Sequence, residues 1–287
     1  MAQVTFETLN PKAPLFEELK SGKYTWWEKV KNDSRLYIEI RKDNQINVYY
    51  EGGSVIRLHY CTRHKKVQAF THVKYLYGKG DGYEECADKL DEILDTIITN
   101  IPKFYSQKNG TEKEKWSEKY IQGQYVLKNR LQYIDSEFAY KENPFDIRVD
   151  LVECIDGKIR FVELKRLDDG RMLKKTDESP EVVEQVRSYK EFIEKHQNDI
   201  IEYYQKLWEI KKSLNLQVTD TCPCSVNKDP LLLIFDRWEK TSKGREVHTH
   251  RMGEILQREK VNYVITSELC ERLQNLKIIR HRSKSHY

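Results

Sequence analysis

Arg148-Val-Asp-Leu-Val-Glu-Cys-Ile-Asp-Gly-Lys-Ile-Arg-Phe-Val-Glu-Leu-Lys165 is the stretch on which the reading of this chain turns. An apolar run ends on Asp150, Gly157 supplies a reversal, and a second apolar run brings Glu163 and Lys165 two positions apart, hence onto one face of a strand. The pattern predicts a hairpin that gathers three ionisable groups at the edge of a sheet. A charged side chain in an apolar strand costs several kcal/mol unless it is partnered, so the three are expected to meet. Two carboxylates suit a hard divalent cation, and a lysine beside them suits the orientation of a water or the charge developing on a phosphorus centre. The plainer alternative makes Glu163 and Lys165 an exposed ladder on an edge strand.

Outward from the hairpin, strands are expected over Gln132 to Tyr140, Asp146 to Cys154, Lys158 to Lys165, Leu231 to Phe235 and Val261 to Ile265. A long helix is expected from Ser179-Pro180-Glu181, with Ser179 as cap and Pro180 in the first turn, to about Leu214. Upstream, Thr111 with Glu114 reads as a capping box opening a helix that runs to about Arg130. Tyr83 to about Tyr105 carries Leu90, Ile93, Leu94, Ile97, Ile98 and Ile101 at helical spacing. Before it, Leu36–Ile40, Ile46–Tyr50, Val55–Tyr60 and Val67–Phe70 alternate as an antiparallel meander, with Asp43-Asn44 and Gly52-Gly53 as turns. The expected architecture is α/β: a mixed sheet flanked by helices over 109–287, preceded by a smaller β-rich N-terminal domain with its connecting helix over 1–108. The tyrosines of the meander read as sheet surface or core, with base stacking as the alternative.

With 287 residues and 38% of them hydrophobic, the chain can bury a substantial core. No window is long and apolar enough to span a bilayer, and the first residues lack the pattern of a secretory signal, so no membrane association and a cytoplasmic location are expected. Cys61, Cys86, Cys154, Cys222, Cys224 and Cys270 are too scattered for a disulfide framework. Cys222-Pro-Cys224 would be half a metal site, but no second close pair follows. A net charge of +4 argues little for nucleic acid. Two local clusters, Arg63-His-Lys-Lys66 and the tail from Lys277 to Lys284, are candidates for phosphate contact or solvated basic faces. His59, His64 and His72 read as ordinary sheet residues.

Asp150 in a second core strand, Glu163-Leu-Lys165 thirteen residues later, and Gln185-Val-Arg-Ser-Tyr189 on the following helix together resemble the PD-(D/E)xK nuclease superfamily, in particular its RecB-like branch with a Q-x-x-x-Y element. The resemblance runs from about Thr111 to Ile265, and Val149 stands where the family has proline. It implies a restriction-endonuclease-like fold and metal-dependent hydrolysis of DNA, as an exonuclease or in DNA-end processing. On that reading Asp150, Glu163 and the Leu164 carbonyl hold Mg²⁺ or Mn²⁺, and Lys165 holds or helps to deprotonate the attacking water. A third acid, usual in the family, is Glu118 on the preceding helix or Glu137 in the first strand. Gln185 and Tyr189 share a helix face toward the site, although Tyr189 also fits core spacing. Arg171, in the turn after Lys165, is a candidate clamp on a substrate phosphate, while Asp168 and Asp169 read as turn formers. The N-terminal domain is the expected contact for substrate, a second copy or a partner protein. The alternative is a non-catalytic module that binds nucleic acid or protein on the same fold.

Overall fold

A computed structural model of the chain describes residue 6 and residues 9–105, 117–172, 179–236 and 243–269. Two short helices, α1 (Pro14–Lys20) and α2 (Thr25–Asn32), precede a five-stranded antiparallel meander. Its strands are β1 (Leu36–Arg41), β2 (Gln45–Tyr50), β3 (Gly53–Cys61), β4 (Lys66–His72) and β5 (Tyr83–Glu85), in chain order. Helix α3 (Val73–Tyr77) bridges β4 and β5, and α4 (Leu90–Tyr105) follows the meander. The turns fall where short polar residues and glycine tolerate a left-handed backbone: Asp43 and Asn44 at φ 58, and Gly52 at φ 82.

The second sheet is built from β6 (Tyr133–Glu142), β7 (Phe145–Ile155), β8 (Lys158–Arg166), β9 (Ser225–Val226), β10 (Leu231–Phe235) and β11 (Asn262–Thr266). Its order is β11-β10-β8-β7-β6, with β9 pairing beside β8. β7 pairs antiparallel with both β6 and β8, whereas β8, β10 and β11 are parallel, so the sheet is mixed. Helix α5 (Glu118–Lys128) sets Ile121 and Tyr125 against Leu151, Val162, Leu164 and Leu231. The other face takes Tyr189, Phe192 and Ile193 of α6 (Glu181–Ser213) against Val152 and Phe161. Helix α7 (Lys243–Arg258) packs Met252 and Leu256 on Leu232 and Ile234. One buried cluster runs from Leu19 and Trp27 through Ile46 and Leu58 to Phe138, Phe161 and Phe192, so the two sheets share a core.

Several local expectations need correction. The segment from Tyr83 is not helical at first: β5 adds to the open edge of β4, a three-residue 3₁₀ turn follows, and the helix begins at Leu90. Pro180 occupies the cap position of α6, and the Ser179 hydroxyl instead donates to Glu259. Asp150 lies in the middle of β7 rather than at a strand end. The capping pair Thr111 and Glu114, the boundary near 108, Cys270 and the basic tail fall outside the described residues. Helix α5 starts at Glu118, capped by Ser117, whose hydroxyl oxygen accepts from the Tyr120 N–H. Arg63-His-Lys-Lys66 forms the β3–β4 turn, where Lys66 pairs with Glu85. The described cysteines are all free thiols. Among the described residues no helix is long and apolar enough to cross a membrane.

Candidate active site

The β7–β8 hairpin turns on Asp156 and Gly157, at φ 50 and 75, the pair of left-handed residues that a two-residue turn between twisted strands requires. A side chain on Gly157 would also meet the Cys222 carbonyl at 2.8 Å. The turn fixes a register in which Leu151 faces Val162, and one position further the strands carry Asp150 and Glu163. Asp150 Oδ2 accepts from the Leu164 N–H at 2.9 Å, which pins the carboxylate against the neighbouring strand.

Four oxygens surround the Lys165 ammonium. Glu163 Oε1 is in direct contact, the Leu164 carbonyl accepts at 2.9 Å, and Glu118 Oε1 and Asp150 Oδ2 stand 3.6 and 3.7 Å away. Glu163 and Lys165 are each only 1% exposed, which excludes the exposed-ladder alternative. Burial pushes the carboxyls of Glu163 and Glu118 above their ordinary range despite the lysine. Asp150 goes up to about 7, through burial first and the adjacent Glu163 second. Burial works against the Lys165 charge too, but three carboxylates outweigh it and hold the amine above its usual value. Lys165 is therefore a charged donor in the cluster as it stands. Excess negative charge packed around one ammonium is the condition under which a further cation binds well.

The Gln185–Tyr189 pair continues this cluster. Gln185 Nε2 donates to the Tyr189 hydroxyl at 2.8 Å, and Tyr189 donates to Glu163 Oε2 at 2.6 Å while also touching the Arg148 carbonyl. Tyr189 thus packs and positions together: it is buried, and burial with the Glu163 charge keeps its phenol protonated. Arg171 sits at the rim with its side chain 46% exposed, gripped by Asp169 at 2.5 Å and 3.5 Å from Glu118. Asp169 also accepts from the Arg171 N–H, as expected of a turn former.

Of the two candidates for a third acid, the structure brings Glu118 to the cluster and not Glu137. Glu137 follows Ser136, which faces Leu151, but its own backbone is left-handed, at φ 56. Its carboxylate meets Tyr49 at 3.3 Å, Lys119 at 3.9 Å and Arg41 at 4.0 Å. Sequence reasoning missed Gln122, one helical turn after Glu118, whose buried amide donates to the Asp150 carbonyl and ties α5 to β7. Its only signal was a polar residue between Ile121 and Tyr125, which marks no chemistry by itself.

Among the described residues no three acidic, histidine or cysteine side chains already meet at one point as a ligand set. What converges on Lys165 Nζ is three carboxylates and a carbonyl, all oxygen, and that donor chemistry fits Mg²⁺ or Mn²⁺ rather than a softer ion. No family model, curated protein or solved structure matches this chain.

Proposed function

We propose that this protein is a Mg²⁺- or Mn²⁺-dependent deoxyribonuclease, hydrolysing DNA phosphodiester bonds on a restriction-endonuclease-like arrangement of β6–β8 with α5 and α6. The observation that carries the reading is the convergence of Asp150, Glu163, Glu118 and the Leu164 carbonyl about Lys165, with Glu163 held from behind by Tyr189 and Gln185. Asp150, Glu163, Glu118 and the Leu164 carbonyl would hold the ion, which when bound supplies an acidified water and neutralises phosphate oxygens. Lys165, kept charged by its carboxylates, donates to the attacking water or to a phosphate oxygen. Tyr189 orients Glu163 by its hydrogen bond, and Arg171 at the rim reaches for the next phosphate. The Gln185–Tyr189 element favours the end-processing form of the reaction, in repair or in defence against foreign DNA. On the first sheet, where Arg57 lies 4.4 Å over the Tyr83 ring and His59 stacks on Phe70, DNA or a partner protein, including a second copy, finds an aromatic face with Arg57 and Glu85 on either side of Phe70.

A second reading, a binding module without catalysis, draws on the closed state of the cluster, in which Glu163 and Lys165 are both shut from solvent and paired with each other. Digestion of end-labelled linear, circular and single-stranded DNA with Mg²⁺, Mn²⁺ or chelator separates the two. Cleavage is expected only with metal, with a loss of about a hundredfold or more in Glu163→Ala, Lys165→Ala and Glu118→Ala. Glu137→Ala should stay within about threefold of wild type, since its carboxylate belongs to another network. Intact DNA under every metal condition would leave only the binding module.

A further inference from the structure

Away from the acid–lysine cluster, a cavity of about 350 Å³ opens at the seam between the two sheets. It is bounded by the end of α2, strand β1, the C-terminal half of α5, β6 and the end of α6, and shares no residue with the cluster. Its floor is the Glu39–Lys211 ion pair at 2.8 Å, both members nearly fully buried and therefore neutral as a unit. Two further cations stand on the walls. Arg130 donates from Nε and Nη2 to the carbonyls of Leu127 and Ser34, at 3.3 and 2.7 Å, so among the described residues Nη1 has no acceptor and the guanidinium no carboxylate within 4 Å. Burial presses on its charge, and only the nearby Asp33 offsets that. Lys31 adds a second ammonium, anchored on the solvent side by Glu28 at 2.8 Å.

Tyr133 adds only its ring to the wall, since its hydroxyl is fully buried and does not open into the cavity. The remaining wall is mixed: the Tyr37 ring and the half-buried Leu127 and Leu216 offer apolar surface, while Asn215 and Gln217 offer paired donors and acceptors. An adjoining hollow of about 560 Å³, reached past Arg130 and Gln217, is lined by Lys128 as well as by Asp156 and Asp220, the latter paired with Lys212 at 3.0 Å. In the first cavity the negative end of a ligand meets Arg130 and Lys31.

We propose that this cavity binds an organic phosphate of nucleoside-monophosphate size, its phosphate on Arg130 and Lys31 and its planar body along Tyr37 and Leu127. The space far exceeds an inorganic phosphate, and side-chain amides beside an aromatic wall suit the edges of a heterocyclic base. The site stands independently of the nuclease reading.

Calorimetric titration of the full chain with adenosine 5′-monophosphate, in chelator so that no cation recruits it elsewhere, tests the assignment. Binding is expected for wild type, weakened about tenfold in Arg130→Gln and about threefold in Lys31→Gln, with adenosine and inorganic phosphate each binding more weakly. Lys31→Gln should melt, without ligand, near the wild-type temperature, because it removes only the ion pair with the exposed Glu28. That variant keeps the test decisive if Arg130→Gln fails to fold. No heat with the nucleotide at millimolar concentration, equal affinity in the variants, or inorganic phosphate binding as tightly as the nucleotide would each overturn the proposal.

Discussion

Asp150 is held in its place at a cost, and that cost is measurable. Its carboxyl is raised to about 7 by burial and by Glu163, so the folded chain binds this proton more tightly than the unfolded chain does. The sign follows: the contribution is neutral below about pH 4, where both states are protonated, and stability is lost as pH rises through about 7. Asp150→Asn keeps an oxygen to accept from the Leu164 N–H and removes the charge beside Glu163. In metal-free buffer at pH 8 it should raise stability by about 1–2 kcal/mol, discounted for water reaching a side chain 27% exposed, with the gain vanishing toward pH 4 while cleavage is abolished. Denaturant melts at the two pH values check this, and a variant less stable than wild type at pH 8 would contradict the account of the cluster. Asp150, Glu163 and Lys165 were legible in the sequence because ionisable residues in apolar strands need partners, and the two-residue period says on which side. Glu137 was not, because nothing in its neighbourhood announces a left-handed residue in mid-strand. The choice of Glu118 over Glu137 therefore rests on a backbone torsion.

At the scale of elements, α5 decides whether the site exists, since it brings Glu118 and Gln122 to strands fixed by their own hairpin. Its position depends on two glycines. A Cβ on Gly123 would lie 2.6 Å from the Gly52 nitrogen, and one on Gly52 would lie 2.0 Å from the Lys119 carbonyl oxygen, so the β2–β3 turn rests directly on the helix backbone. Alanine for glycine inside a helix ordinarily stabilises by about 1 kcal/mol. Here Gly123→Ala should destabilise by about 2 kcal/mol or more, because backbone atoms cannot step aside, and it should displace Glu118 and reduce cleavage about tenfold. A melting temperature at or above wild type would show that the hairpin does not seat the helix. Apart from β5 and β9, the strands of both sheets were legible to within two residues, as alternation and turn chemistry are local. Those two were not, because two or three residues become a strand only where the open edge of β4 or the flank of β8 receives them. Helices α1 and α2 left no reading at all, being too short for a periodic pattern to stand out.

Across the whole molecule, the first sheet is joined to the second by buried charge as well as by apolar contact. Lys211, near the end of α6, reaches Glu39 of β1 at 2.8 Å and the Ile134 carbonyl at 2.7 Å, while Arg41 of β1 pairs with Asp135 of β6 at 3.0 Å and donates to the Ser136 carbonyl. Ser136 closes the network on Glu39. Removing one member of such a pair strands the other in a medium that cannot solvate it, which costs about 3–5 kcal/mol, whereas neutralising both costs far less. Lys211→Met should therefore lower stability by about 3 kcal/mol, and Glu39→Gln with Lys211→Met should recover at least half of that, a coupling read from a double-mutant cycle. Because the same apolar cluster contains Ile46, Leu58, Phe161 and Phe192, all variants should unfold in one cooperative transition, followed in parallel by calorimetry and by fluorescence of the five tryptophans, among them Trp26 and Trp27 before the first sheet and Trp208 in α6. Two separate transitions would mean that the sheets fold independently. The hairpin of the first sheet could then not be what fixes α5 and its Glu118 over the second.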